Sequence, residues 1–355
     1  MKIDRIHFYT RDAAKIKDWF TRNVGFNVIG NSNNQHTHTE VISLNSACLV
    51  FSSPLTKNSP VASYLNSHPS GVGDITFRVK DIQSIVDRAY DLGLNILQDP
   101  QTYKSDRGIF RAAQIQGWKS LRHTLIEETD NNLDYCFSTL NLESQQAISN
   151  SSSQITDIDH VVLNVAAGKL NSAVKLYQDL FGFKIQQSFN IQTPTSGLYS
   201  QALIDDSGAV QFNINEPTSN TSQIQEFIDL NHGSGIQHLA LRSQNLIADV
   251  QRMQDKDLAF LTIPQIYYNQ LDRGINLSPQ EWQAIAREQI LVDCDRNNPR
   301  SLLMQIFTQP IFEQPTFFLE FIERRQQAQG FGKGNFKALF EAVEREQIMS
   351  NSATQ

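Results

Sequence analysis

IDRIHFYTRDAAKIKDWFTRNVGFNVI (Ile3–Ile29) and IDHVVLNVAAGKLNSAVKLYQDLFGFKI (Ile158–Ile185) are two versions of one pattern. Each holds an alternating strand, an amphipathic helix and a Gly-Phe turn into a new strand. The halves match again further along. GVGDITFRVKD (Gly71–Asp81) parallels GIQHLALRSQN (Gly235–Asn245), and each strand runs on into a helix. Between the copies lies LESQQAISNSSSQITD (Leu142–Asp157), rich in Ser and Gln and poor in bulky apolar residues, which reads as a linker. Self-similarity on this scale marks a duplicated module. The expected organisation is an N-terminal domain over 1–141, a linker over 142–156 and a C-terminal domain over 157–349.

A chain of 355 residues suits two fused modules, and 40% hydrophobic residues supply a real core. Charged residues are 19%, under the usual ~25%, with Asn, Gln and Ser filling the gap. A net charge of −7 argues against a nucleic-acid partner. No apolar run approaches the ~18 residues of a membrane span. The start, MKIDRIHFYTRDAAK, lacks the apolar core of a signal peptide. The expectation is a cytoplasmic protein with no membrane partner. Cys48, Cys136 and Cys294 are odd in number and far apart, so three reduced thiols are expected.

QPTFFLEFIERR (Gln314–Arg325) sets one acid, Glu320, among large apolar residues. On a strand, Phe317, Leu319 and Phe321 take one face; Phe318, Glu320 and Ile322 take the other. A buried carboxylate needs a cation, a metal or donors. Read alone, Glu320 is an edge-strand acid in water or the partner of an arginine. His160 and His238 also sit in strand-like apolar settings, where a lone histidine is usually a hydrogen-bonded core residue. Together the three match what a 2-His-1-carboxylate iron(II) site requires: each on its own strand of one module, with one face of the metal left open. In the first half His160 aligns with Arg5 and His238 with Asp74. End-to-end alignment of LRHTLIE puts Glu127 opposite Glu320. Arginine has no lone pair for a metal, so the first half is expected to be metal-free, with His7 and His123 structural.

GFGKGN (Gly330–Asn335) has neither the preceding strand nor the following Lys-Ser/Thr of a phosphate loop. It reads as a hinge. Asn335 caps a helix whose Phe336, Leu339, Phe340 and Val343 form one stripe. A lid helix over 335–347 is expected, excluding water from a barrel mouth.

The order of elements in each half resembles the βαβββ unit of the vicinal oxygen chelate superfamily, an α+β fold whose paired units curl into open barrels. LLMQIFTQPIFEQPTFFLEFIERR followed by GFGKGNFKALFEAVE is similar to the C-terminal end of 4-hydroxyphenylpyruvate dioxygenases. So are IDHVVLNV, GLYSQAL, INEPTSNTSQIQEFI and GIQHLALRS, in that order. The likeness covers roughly Ile155 to Gln347; the first 140 residues match as a module type. The resemblance implies that His160, His238 and Glu320 hold catalytic Fe(II). It implies that Ser200, Asn215, Gln223, Gln237 and Gln305 orient the substrate, and that Phe307, Phe318, Phe331 and Phe336 wall in its ring. A 4-hydroxyphenyl group indeed needs aromatic walls and neutral donors.

The implied reaction converts 4-hydroxyphenylpyruvate and O2 to homogentisate and CO2 in a homo-oligomer, dimer or tetramer. Whether the product feeds tyrosine catabolism or tocopherol and plastoquinone biosynthesis stays open. Two residues depart from the family pattern: Asn213, where proline is usual, and Tyr199, where a smaller polar residue is common. Both bear on substrate preference. The alternatives are a 4-hydroxymandelate synthase, an extradiol ring-cleaving dioxygenase (which the Gln-Ile-Phe and GFGKGNF segments disfavour) and a non-catalytic small-molecule binding protein of the same fold.

Overall fold

The computed structural model describes residues 1–105, 108–128, 143–144, 152–192, 196–271, 275, 277–295, 298–332, 334–335 and 338. Its first sheet has strands β1 (Lys2–Tyr9), β2 (Asn27–Asn33), β3 (Thr37–Leu44), β4 (Ala47–Pro54), β5 (Gly71–Val79), β6 (Ile96–Ser105), β7 (Gly108–Gln116), β8 (Arg122–Glu128) and β9 (Glu143–Ser144), in the order β6-β7-β8-β5-β1-β4-β3-β2-β9. The second has β10 (Ile155–Asn164), β11 (Lys184–Gln192), β12 (Gly197–Ile204), β13 (Gln211–Pro217), β14 (Gly235–Ser243), β15 (Leu291–Asp295), β16 (Asn298–Phe307) and β17 (Phe318–Arg324), in the order β11-β12-β13-β10-β14-β17-β16-β15.

Without β9 the two orders are the same. Each sheet is a pair of βαβββ units whose first strands, β1 with β5 and β10 with β14, meet antiparallel at the centre. In every unit the first strand pairs parallel with the fourth. This is the duplicated α+β architecture expected from the repeat. The start of each crossover helix is satisfied locally. Asp12, Asp81 and Asn245 accept a backbone N–H three residues on. Helix Leu170–Phe181 lacks such a cap, and Glu216 accepts from Leu170 N at 3.0 Å instead.

The stretch expected to be a linker gives residues to both sheets. Glu143 and Ser144 pair with β2, and Ile155 already belongs to β10. One core runs through both halves. Phe8 of β1 stacks on Phe51 at 5.2 Å and meets Phe317 edge-on at 5.0 Å. Phe317, Leu319 and Phe321 are fully buried on that core face, as alternation required.

Register corrects one alignment. Ala240 pairs with Glu320, and its counterpart Thr76 pairs with Thr124, so Thr124, not Glu127, is the equivalent of Glu320. Glu127 is the equivalent of Glu323. Both cap the helix after the central strand: Glu127 accepts from Ile82 N at 2.6 Å and Glu323 from Leu246 N at 2.7 Å. The cysteines bring a second correction to the expected three reduced thiols, because Cys48 is disulfide-bonded. Of the expected lid helix, residues 335–347, only Asn335 and Ala338 are among the described residues, and Phe336 lies outside them. No described helix is long and apolar enough to cross a membrane.

Candidate metal centre

The central strands of the second sheet bring three donors to one point. His160 comes from β10, His238 from β14 and Glu320 from β17, all nearly fully buried, with ligand atoms within 4.8 Å of one another. Glu320 Oε2 lies 3.1 Å from His160 Nε2 and 3.4 Å from His238 Nε2. Central strands of a sheet are its most rigid parts, and each donor sits on the inner face by alternation. Around them is a cavity of about 10 Å³, lined by His160, Asn213, His238, Gln305, Phe307, Glu320 and Phe331. That is room for about one water-sized sphere.

The electrostatics of the cluster follow from burial and mutual charge. Burial opposes a charge on His160, but Glu320 and Asp159 outweigh it and raise the imidazole to about 9. Burial likewise pushes Glu320 up, but His160 and then His238 hold it down to about 2. His238 is lowered, chiefly by burial. An imidazolium, a carboxylate and a neutral imidazole thus share the site.

His160 is held from behind. Its Nδ1 donates to Asp159 at 2.9 Å, which leaves Nε2 facing the cavity. Asp159 is gripped in turn by Arg324 (2.7 and 2.8 Å) and Arg242 (2.8 and 2.9 Å). Nη1 of Arg324 donates to the carbonyls of Ala328 (3.1 Å) and Gly330 (2.7 Å). One guanidinium therefore links the support of His160 to the loop that carries Phe331. Neither Asp159 nor Arg324 stood out in the sequence. A pair 165 residues apart leaves no local spacing, and the only available signal was an Asp directly before Arg5 and His160 in both repeats.

Gln305 donates through Nε2 to Glu320 Oε1 at 2.8 Å and accepts from Asn335 at 2.9 Å. Phe318 stacks on His238 with centroids 4.8 Å apart; Phe307 meets the same ring edge-on at 6.4 Å. Phe331 meets His160 edge-on at 5.0 Å. Ser200 and Asn215 are register partners on the inner face, beyond the cavity lining. Asn213 Oδ1 at the cavity, and Asn164 Nδ2, Ser200 Oγ and Asn215 Oδ1 beyond it, are buried without hydrogen-bond partners. Each such atom costs about 1–3 kcal/mol unless something meets it. Gln223 is buried at the first turn of helix Gln223–Leu230. Gln237 is half-buried, falls at a register irregularity between β10 and β14, and is not among the residues lining the cavity. Tyr199 is 44% exposed and stands apart from the cavity.

Two imidazole nitrogens and one carboxylate oxygen, converging on a buried cavity, fit a divalent first-row metal. The corresponding place in the first half does not. Arg5 stands there beside Asp74, which accepts from Thr124 at 2.9 Å and Gln114 at 3.0 Å.

A profile of the Glyoxalase/Bleomycin resistance protein/Dioxygenase superfamily matches residues 2–133 and 157–275. A 4-hydroxyphenylpyruvate dioxygenase of Dictyostelium discoideum is 33% identical over 97% of both chains. The chain belongs to the 4-hydroxyphenylpyruvate dioxygenase family. It is an enzyme of the non-haem iron dioxygenase type found in that family. An uncharacterized protein of Synechocystis is 35% identical, again over 97% of both chains. Among solved structures, a triple mutant of 4-hydroxymandelate synthase from Streptomyces coelicolor superposes with a TM-score of 0.85 at 26% identity, covering 98% of each chain.

Proposed function

We propose that the chain is a 4-hydroxyphenylpyruvate dioxygenase, releasing CO2 and homogentisate, with Fe(II) held by His160, His238 and Glu320. The carrying observation is the convergence of those three groups in a cavity walled by Phe307 and Phe331, in a chain one-third identical to such enzymes along nearly its whole length. The metal, when bound, supplies oxygen activation and a chelation site for a 2-keto acid. The protein's part is binding, orientation and exclusion of water. Ser200, Asn215 and the amides of Gln223, Gln237 and Gln305 offer neutral hydrogen bonds, and the unpartnered Ser200 Oγ and Asn215 Oδ1 await a polar ligand. Phe307, Phe318, Phe331 and Phe336 wall in the ring. A cavity of about 10 Å³ is far below the ~300 Å³ of a small-molecule site, so substrate entry requires the lining to open, and Phe331 sits on the loop side of it. Gly330 and Gly332, at φ +82° and +68°, flank Phe331 as hinges. In this reading residues 1–141 form a metal-free scaffold, residues 157–349 the catalytic domain, and the enzyme acts as a soluble homo-oligomer.

A second reading is 4-hydroxymandelate synthase, favoured by the TM-score of 0.85 to that enzyme. Iron-loaded protein incubated with 4-hydroxyphenylpyruvate and O2 separates the two, with product identified by mass and retention. Homogentisate supports the first; hydroxymandelate replaces it with the second. No turnover despite bound substrate would defeat both.

A further inference from the structure

We propose that Asn213 is a fourth protein ligand of the metal, donating through its amide oxygen; the inference rests on the metal reading above. The second sheet has an internal twofold. β10 and β14 are antiparallel neighbours, with Val162 opposite His238 and Ala240 opposite His160. His160 and His238 are thus copies of one position. Each strand has a parallel partner, β13 for β10 and β17 for β14. Glu320 lies opposite Ala240, two residues past His238. Asn213 lies opposite Val162, two residues past His160. Asn213 therefore occupies the place where the twofold copy of Glu320 falls.

Two further observations concern its surroundings. Residues paired across a sheet share a face, which puts Asn213 on the inner face with all three donors, and it lines their cavity. Its Oδ1 is buried, in a residue only 1% exposed, with no hydrogen-bond partner. A buried acceptor left unmet is costly, and a cation in the cavity it lines would meet it. An amide oxygen is a hard, neutral and weak donor. It fills a coordination position in the substrate-free enzyme and yields it to a chelating keto acid.

The test uses the full-length, substrate-free protein titrated anaerobically with Co(II) and Fe(II), following affinity and the Co(II) visible absorption. Asn213→Val removes the donor at similar volume; affinity should fall about tenfold, with a shifted absorption band. Asn213→Asp keeps the shape and adds charge, and should bind about tenfold tighter or better. A residue that only touches substrate, or only packs, would leave the substrate-free affinity and spectrum unchanged in both variants. That result overturns the inference, as does weaker binding by Asn213→Asp. If wild type binds no metal, the metal reading fails. If it binds, and His238→Ala does not, while both Asn213 variants match wild type, only the fourth ligand fails.

Discussion

The Nε2 of His160 lies 3.1 Å from Oε2 of Glu320, on strands separated in the sheet by β14. In the metal-free protein a proton joins them, because Glu320 and Asp159 outweigh burial and raise His160 to about 9. A metal must take that nitrogen from the proton. His238 is already neutral and Glu320 already ionised, so one proton leaves per metal bound. Between about pH 6 and about pH 8, apparent affinity should rise about tenfold per pH unit. Calorimetry in buffers of different ionisation enthalpy counts the proton directly; zero or two would contradict the assignment. The stability of the metal-free form has the opposite slope. A raised histidine stabilises below its unfolded value near ~6.5 and loses that contribution as pH climbs through about 9. The Tm of the metal-free protein should therefore fall toward alkaline pH.

Arg324→Lys should weaken metal binding about 10–100-fold, since a lysine cannot reproduce the fork that holds both oxygens of Asp159. The same change frees the carbonyls of Ala328 and Gly330. Amide exchange in the 328–332 segment should accelerate in the same variant. Tight metal binding alongside a loosened loop would show that Arg324 serves the loop alone.

His123 is fully buried and its imidazole is lowered to about 3 by burial. Unfolded, it titrates near ~6.5, so the unfolded chain binds the extra proton first as pH falls. Stability should drop from about pH 6.5 downward and level near about pH 3, a loss of a few kcal/mol at about 1.4 kcal/mol per pH unit. His123→Phe, packed against Phe77 and Phe181, should flatten that slope in denaturant melts at about pH 7 and about pH 4.5. His7, also lowered to about 3, keeps part of it.

Gly332→Ala should damage the site from the loop side. At φ +68° an alanine is strained by about 1–2 kcal/mol, and its Cβ would fall 2.3 Å from Gln305 Oε1. Gln305 is the side chain that donates to Glu320, so kcat/KM should drop at least about tenfold. Gly93→Ala is the control. It has a similar φ of +71° and nothing within 4 Å, and should cost only the backbone strain, with activity intact.

The duplicated architecture and the three converging donors were legible because each rests on a local period: strands alternate, and the repeat places His160 and His238 at equivalent points. The lid helix was a local reading too, but falls mostly outside the described residues. What escaped was non-local. Glu127 was matched to Glu320 because the end-to-end apolar pattern tolerates a three-residue slide; only pairing with the central strands fixed Thr124 there. Asn213 registered as a departure from proline, yet its twofold relation to Glu320 needs the register of four strands. The Arg324 fork joins an arginine to an aspartate 165 residues away, which no spacing rule reaches.

Arg5, 4% exposed beside Asp74, has one last consequence. The earlier barrel carries its positive centre on the chain itself, where no chelator can strip it and no shortage can withhold it. Removing an ion from the second half would leave this fixed charge in place, so a chelator can reach one half of the molecule and not the other.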